Sequence, residues 1–288
     1  MGSAAPGPGS RAPIPIYHVD AFAEKPFEGN PAAVCPLDGA WLPDATLQGV
    51  AAENNLAETA FIKACDDFEG SGAYEIRWFT PTVEVDLCGH ATLASAHVLF
   101  EHTRCPRALA AGQVAFRSRS GELSVRREGQ MLWLDFPALG FEETEAPAGL
   151  REALGLRPDQ GEVFRSQYDV VVALAGEEDV RALAPDMRAL SACLSSAGAR
   201  GAIATAAASG DLDFLSRFFA PNSGIDEDPV TGSAHCVLIP FWAARLGKKS
   251  MRARQISRRG GDVACELGEG RVNIGGRART FVSGQMWL

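Results

Sequence analysis

The sequence predicts an α/β protein of the α+β type, built as two pseudo-symmetric domains that each wrap a sheet around one central buried helix. Three features predict it. The chain repeats itself at a shift near 140 residues. Two segments, Ala91 to Glu101 and Ala234 to Leu246, are apolar nearly all round, and a helix without a polar face belongs inside something. The segments around each read as strands separated by turn residues.

The repeat rests on landmarks that recur in order. Pro43-Asp44 returns as Pro185-Asp186, and Arg77-Trp78-Phe79-Thr80-Pro81 as Arg217-Phe218-Phe219-Ala220-Pro221. Ser95-Ala96-His97 returns as Ser233-Ala234-His235, Gly121-Glu122-Leu123 as Gly261-Asp262-Val263, and Glu128-Gly129 as Glu269-Gly270. A repeat this long is a domain, since solenoid units run roughly 20 to 50 residues. The expected domains are 13–136 and 137–278, after a disordered lead-in over 1–12. Two related domains leave a cleft, and small ligands bind in such clefts.

In chain order, Ile14 to Phe22 alternates as an opening strand, and Pro31 to Leu37 is a short buried strand after a turn at Glu28-Gly29-Asn30. Pro43-Asp44 opens an amphipathic helix to about Asn54, with Leu47, Val50 and Ala51 on one side. Strands follow at Thr59 to Lys63 and Tyr74 to Phe79. The second copy repeats the order: strand Val170 to Leu174, helix from Pro185-Asp186, strands Ala202 to Ala206 and Phe214 to Phe219. Gly89 and Gly232-Ser233 mark the starts of the apolar helices, and Gly247 with Lys248-Lys249 marks the end of the second. Pro240 should kink that helix or move its start later.

Composition excludes several functions. At 46% hydrophobic and 22% charged residues the chain is an ordinary globular one, with no apolar run long enough to span a bilayer. A net charge of −9 argues against nucleic acid and anionic membrane as partners. The densest basic cluster, Arg252, Arg254, Arg258 and Arg259, reads as a solvated face. Seven scattered cysteines, Cys105 among them, without a C-x-x-C pair fit neither a disulfide framework nor a zinc site, and point to the cytosol. Met1 to Ser10 lacks the basic start and apolar core of a signal peptide.

The chemistry gathers at the helix starts. Leu87-Cys88-Gly89-His90 and Asp228-Pro229-Val230-Thr231-Gly232-Ser233 are glycine-containing turns that open the two buried helices. Helix starts carry unpaired N–H groups and a positive dipole end, so a symmetric pair would seat a carboxylate between them. Capping alone would explain either turn by itself. Glu58 precedes an apolar β stretch, where desolvation would tune it for proton transfer. A rim glutamate facing water is the competing reading, but the matching stretch Gly201-Ala202-Ile203-Ala204 has no acid, and an acid present in one copy alone points to chemistry. His90 at a helix start is expected to be neutral, and His97 and His235 to be matched core groups. No His, Cys or carboxylate cluster has metal-ligand spacing, so no metal is expected. A G-x-S-x-G elbow and a G-x-G-x-x-G turn are both missing, and Gly247-Lys248-Lys249-Ser250 lacks the leading glycine of a phosphate loop.

Gly29-Asn30-Pro31-Ala32-Ala33-Val34, Leu56-Ala57-Glu58-Thr59-Ala60-Phe61, Arg77-Trp78-Phe79-Thr80-Pro81, Leu87-Cys88-Gly89-His90-Ala91-Thr92 and Glu227-Asp228-Pro229-Val230-Thr231-Gly232-Ser233-Ala234 together resemble the phenazine biosynthesis-like family, the PhzF type. Leu246-Gly247-Lys248-Lys249 and Arg258-Arg259-Gly260-Gly261 look most like its animal members. The resemblance implies the diaminopimelate-epimerase-like fold, with a C-terminal strand over 279–288 completing the first domain. It implies a cytoplasmic homodimer that works without metal or organic cofactor. By motif, Glu58 matches the family's acid/base, and His90, Asp228 and Ser233 match residues that contact substrate or assist proton transfer. Asn30, Gly89 and Gly232 match the binding loops. Related epimerases use two opposed cysteines; here Asp228 stands at the second position, which leaves Cys88 without a counterpart.

The expected activity is therefore a cofactor-independent isomerisation, a 1,3-proton shift or an epimerisation, on a small carboxylated metabolite of amino-acid type in the interdomain cleft. The anion would be held by backbone N–H groups rather than by an arginine clamp. Trp78, Phe79, Phe218 and Phe219 read as core; if they lined the cleft, a flat ring would fit. The alternative is a catalytically silent binding or protein-interaction module that keeps the fold. Glu58, His90, Asp228 and Ser233 together favour activity, because a scaffold needs none of them.

Overall fold

The computed structural model describes residues 12–67, 72–103 and 106–288. The expected lead-in, all but residue 12, and Cys105 lie outside the described residues. The chain divides into two compact units. The first comprises the chain up to Ala21, Pro31–Arg126 and Ala278–Leu288; the second comprises Phe22–Asn30 and Arg127–Arg277.

In the first unit, β17 (Ala278–Met286) runs antiparallel to β1 (Ile14–Ala21), which borders β2 (Asn30–Pro36). Next come β3 (Glu58–Ala64), parallel to β2, and β4 (Tyr74–Phe79), antiparallel to β3. The short β5 (Glu84–Val85) pairs with one end of β4, and β6 (Gln113–Ser118) runs parallel to its other end. β7 (Gly121–Glu128) closes the row antiparallel to β6. Parallel neighbours need crossovers. Helix α1 (Asp44–Asn54) supplies the first, burying Leu47, Val50 and Ala51 beside Cys35, Phe61 and Phe79. Helix α2 (Gly89–Glu101) supplies the second; it is buried from His90 to Phe100 except at His97, and contacts β1, β3 and β17.

The second unit has nine strands in the order β9 (Phe141–Glu143), β10 (Glu162–Ser166), β11 (Asp169–Ala173), β12 (Gly201–Ala207), β13 (Phe214–Phe219), β14 (Ser250–Gln255), β15 (Gly261–Leu267), β16 (Arg271–Gly276) and β8 (Met131–Pro137). Laid flat, nine strands would span about 38 Å. The outermost two, β8 and β9, are consecutive in sequence and separated only by residues 138–140, a link that reaches about 15 Å. The sheet must therefore curl, and helix α6 (Gly232–Leu246), buried along most of its length, contacts β14, β15 and β16. On the other side, α3 (Leu150–Ala153), α4 (Glu177–Arg181) and α5 (Met187–Ser196) cover β11 and β12 through Leu150, Val180, Leu190 and Leu194. That double cover is why β11 is buried at every residue and reads as an unbroken apolar run.

The duplication is visible in the pairing pattern. β2–β3–β4–β6–β7 and β11–β12–β13–β14–β15 share the same sequence of parallel, antiparallel, parallel and antiparallel joints. Arg77 and Arg217 show why their landmark recurs. Each guanidinium grips a glutamate through two nitrogens, Glu84 and Glu227 respectively. Each also lies over the phenylalanine two residues on, at 5.1 Å for Phe79 and 4.8 Å for Phe219. The turn glycines Gly129 and Gly270 match as well, with φ of 59° and 66° that favour glycine.

The Ser-Ala-His landmark is a correction. Ser95 lies half-way along α2, whereas Ser233 is the second residue of α6, so His97 and His235 are not equivalents. Pro240 stands inside helix α6, which starts at Gly232, so of the two expected outcomes the later start does not occur. A proline at 240 leaves the carbonyl of Cys236 without its helical donor. Leu139, in the link between β8 and β9, donates its N–H to that carbonyl at 2.9 Å.

Candidate active site

In the first unit Glu58 opens β3, beside Ala32 of β2, and its side chain is 13% exposed. Cys88 is the extended residue that precedes α2, and His90 is the helix's second residue. The loop between β4 and α2 thus delivers both to the end of β3. His90 Nδ1 lies 3.5 Å from Cys88 Sγ, and Nε2 lies 3.1 Å from Glu58 Oε2. Among the described residues this is the one trio of His, Cys and carboxylate side chains with donor atoms all within 4.8 Å of one another. Spacing along the chain hid it. The ring points a different nitrogen at each neighbour, which makes a relay rather than a set of donors converging on one point.

His90 is the clearest departure from expectation. Burial by itself lowers its pKa, but the charge of the Glu58 carboxylate and a hydrogen bond to the neutral Cys88 sulfur raise it, and the net direction is well above its ordinary value. The helix dipole, which led us to expect a neutral ring, loses to a carboxylate at hydrogen-bond distance. Burial, followed by the Glu58 charge, raises the Cys88 thiol, so it stays protonated where a thiolate would be the reactive form.

In the second unit Asp228, Asn30, Gly232 and Ser233 gather at the start of α6. Asn30 is fully buried and donates from Nδ2 to Asp228 Oδ1 at 2.8 Å and to the Val230 carbonyl at 2.9 Å. The Thr231 hydroxyl donates to the other Asp228 oxygen. Gln255 receives the Thr231 N–H and donates to the Asp228 carbonyl. Asp228 thus has both carboxylate oxygens engaged in bracing its own loop. Ser233 Oγ accepts from Arg200 Nη2 at 2.9 Å. Gly89 and Gly232 are the first residues of their helices.

Register fixes the equivalences. Thr59 pairs with Phe79 as Ala202 pairs with Phe219, so Glu58 corresponds to Gly201 and Ala57 to Arg200. The helix starts equate Cys88 with Thr231 and His90 with Ser233; Thr231, rather than Asp228, stands opposite the thiol in the repeat. Sequence reasoning missed Arg200 and its buried partner Asp169, and an arginine does stand at the α6 start. The signal was present: the copies differ at Ala57 and Arg200 as sharply as at Glu58 and Gly201.

Other expectations resolve plainly. Trp78, Phe79, Phe218 and Phe219 are core, which removes the case for a flat ring. His235 is buried and meets the Thr231 carbonyl at 2.8 Å, and burial lowers its pKa to about 4. His97 meets Thr280. The basic cluster is more than a solvated face: Arg254 pairs with Asp262 and Glu28, and Arg259 donates to the carbonyls of Glu28 and Gly29. Two shallow cavities on the second unit, one near Phe22 and Met131 and one near Glu152 and Asp186, include none of these site residues. Among the described residues no helix is long and apolar enough to cross a membrane.

The profile of the phenazine biosynthesis-like protein family matches residues 19–284. An uncharacterized isomerase of Pseudomonas aeruginosa is 50% identical, over 96% of this chain and 99% of that protein. The human phenazine biosynthesis-like domain-containing protein is 37% identical, over 95% of this chain and 99% of its own. A crystal structure of a PhzF-family phenazine biosynthesis protein from Enterococcus faecalis matches with a TM-score of 0.87 at 43% identity, over 96% of this chain and 100% of that one. A hydroxyproline epimerase from Agrobacterium vitis, with bound trans-4-OH-L-proline, shares the fold at 12% identity and a TM-score of 0.60, over 96% of this chain and 93% of that one.

Proposed function

Because this chain belongs to the phenazine biosynthesis-like family, we propose that it is an isomerase that moves a proton on a small carboxylated metabolite, with Glu58 as the acid/base. Its fold is the diaminopimelate-epimerase-like one, and its relatives carry isomerase names. The observation that carries the reading is the Glu58–His90 contact of 3.1 Å at the end of β3.

The chemistry needs one group that takes a proton and returns it. The Glu58 carboxylate removes a proton from a carbon next to a carboxylate or carbonyl, and the electron pair of that C–H bond delocalises into the substrate. Glu58 then returns the proton two atoms along, a 1,3-shift; for an epimerisation a second acid on the opposite face of the carbon has to supply it. His90, held cationic, steadies the carboxylate charge before the transfer, and the Cys88 thiol fixes the ring through Nδ1. A carboxylate and an imidazole suffice for this step, so no cofactor forms part of the proposal. Asp228 and Asn30 brace the loop that ends at Gly232, and Gly89 opens the helix that carries His90. The bound trans-4-OH-L-proline of the A. vitis epimerase supports a substrate of amino-acid type. A cytoplasmic homodimer belongs to the same proposal; sedimentation of the purified chain checks the assembly.

Positioned acid–base catalysis contributes about 10²–10⁴-fold. Glu58→Gln should lose that much deuterium uptake by candidate carboxylates in D₂O while the protein stays folded. Uptake at the wild-type rate in Glu58→Gln would overturn the assignment.

A further inference from the structure

Asp169 opens β11 with no exposed surface, and Arg200 grips it with Nε to Oδ1 at 3.0 Å and Nη2 to Oδ2 at 2.6 Å. A carboxylate taken out of water needs such a partner. The partner itself is not buried: the Arg200 side chain is 38% exposed, and its guanidinium lies 5.4 Å from the Phe218 ring and 5.6 Å from the Tyr168 ring. Its position is over-determined by two hydrogen bonds to one acid, one to Ser233 and two ring faces.

Two donors remain. Arg200 Nη1 makes no hydrogen bond with a described residue. Ser233 Oγ already accepts from the Arg200 cation, so its one proton is left to give, and no described residue receives it. Both donors belong to one hydrogen-bonded unit. The local charge favours an anion as well. Asp169 faces two guanidinium groups, those of Arg200 and Arg165, and Arg165 Nη1 is buried without a hydrogen-bond partner.

We propose that Arg200 and Ser233 form a carboxylate-binding site on the second unit, with Asp169 as the positioning residue that locks the guanidinium. A carboxylate fits because it presents two oxygens in one plane, one for Nη1 and one for the serine hydroxyl, and arginine recognises that planar pair where lysine offers only a point charge. The competing role for Arg200 is to neutralise Asp169 and nothing more. The inference rests on the isomerase reading, in which Ser233 matches a substrate contact and Arg200 is the added residue, but its test is independent of proton transfer at Glu58.

The test titrates benzoate into the full ¹⁵N-labelled chain, with benzamide as the uncharged control of the same shape. Benzoate should saturably shift the amide signals of Arg200, Gly232 and Ser233, and benzamide should not. Ser233→Ala should weaken benzoate several-fold. Arg200→Ala would strand Asp169 in the core, so the informative variant is Asp169→Asn with Arg200→Gln, which keeps a hydrogen-bonded neutral pair. That double variant should fold and bind benzoate at least about tenfold more weakly, the worth of a charge-assisted hydrogen bond. Arg200→Lys should not restore the affinity. Equal shifts from benzamide, unchanged benzoate affinity in the double variant, or benzoate leaving those three signals in place would each overturn the site. Deuterium uptake plays no part in this readout, so a failed isomerase reading leaves the result standing.

Discussion

His90 Nε2 lies 3.1 Å from Glu58 Oε2, with the two side chains 7% and 13% exposed. The ring therefore ionises beside a carboxylate that water scarcely reaches. Its pKa stands well above the ordinary 6.5. A raised folded value means that the stabilisation is complete below about 6.5 and is lost as pH rises through the folded value. Imidazole NMR should show His90 still protonated at pH 7, and Glu58→Gln should move the titration down. In parallel, the stability difference between wild type and Glu58→Gln should shrink as the pH rises. A ring already neutral at pH 6.5 in the wild type would refute the coupling.

The acid side is set elsewhere. Glu84 accepts from Arg77 Nε at 2.7 Å and from Nη2 at 2.8 Å, and those bonds, against the cost of burial, hold its pKa below the usual 4.5. A depressed folded value contributes stability above about 4.5 that disappears as pH falls through the folded value. Glu84→Gln should cost about 1.5–3 kcal/mol at pH 7, the range for hydrogen bonds to charged groups, and the difference should vanish in acid. Chemical denaturation at pH 7 and pH 3 measures both ends. A cost that stays constant with pH would place the stabilisation in packing instead.

Much of this was legible in the sequence because it is periodic or repeated. The apolar faces of α1, α2 and α6, the strands Tyr74–Phe79 and Phe214–Phe219, and the Arg77 and Arg217 landmarks all follow from local pattern. What escaped depends on contacts between distant residues. The charge on His90 is set by Glu58, 32 positions earlier, and no helix-end rule anticipates that. The role of Asp169 depends on Arg200, 31 positions later, and no local pattern announces the pair. The Ser-Ala-His match misled because three identical residues carry no register, whereas strand pairing does.

Register also explains why the acid occurs once. At Gly201, the counterpart of Glu58, a Cβ would sit 2.5 Å from the Phe218 ring and 2.9 Å from the Phe219 carbonyl. No side chain fits there, acidic or otherwise. Gly201→Ala should destabilise by about 1–3 kcal/mol through overpacking, and Phe218→Leu in the same chain should recover part of it. A neutral Gly201→Ala by thermal denaturation would mean that the Phe218 ring gives way freely.

Pro240 offers the sharpest contrast between a local rule and its setting. Replacing a mid-helix proline by alanine ordinarily gains about 3 kcal/mol, because it restores a hydrogen bond and removes a clash. Here the freed carbonyl of Cys236 already receives Leu139 N–H at 2.9 Å, and Leu139 sits in the link that joins the first and last strands of the curled sheet. An alanine N–H at position 240 competes for that oxygen, and a donor left unmatched costs about 1–3 kcal/mol. Pro240→Ala should therefore stabilise far less than 3 kcal/mol, or destabilise slightly, in urea denaturation. Hydrogen exchange at the Leu139 amide should accelerate in the same variant. The full 3 kcal/mol gain with Leu139 protection unchanged would show that the carbonyl serves both donors at once, and that the proline is not what docks the strand link onto the helix.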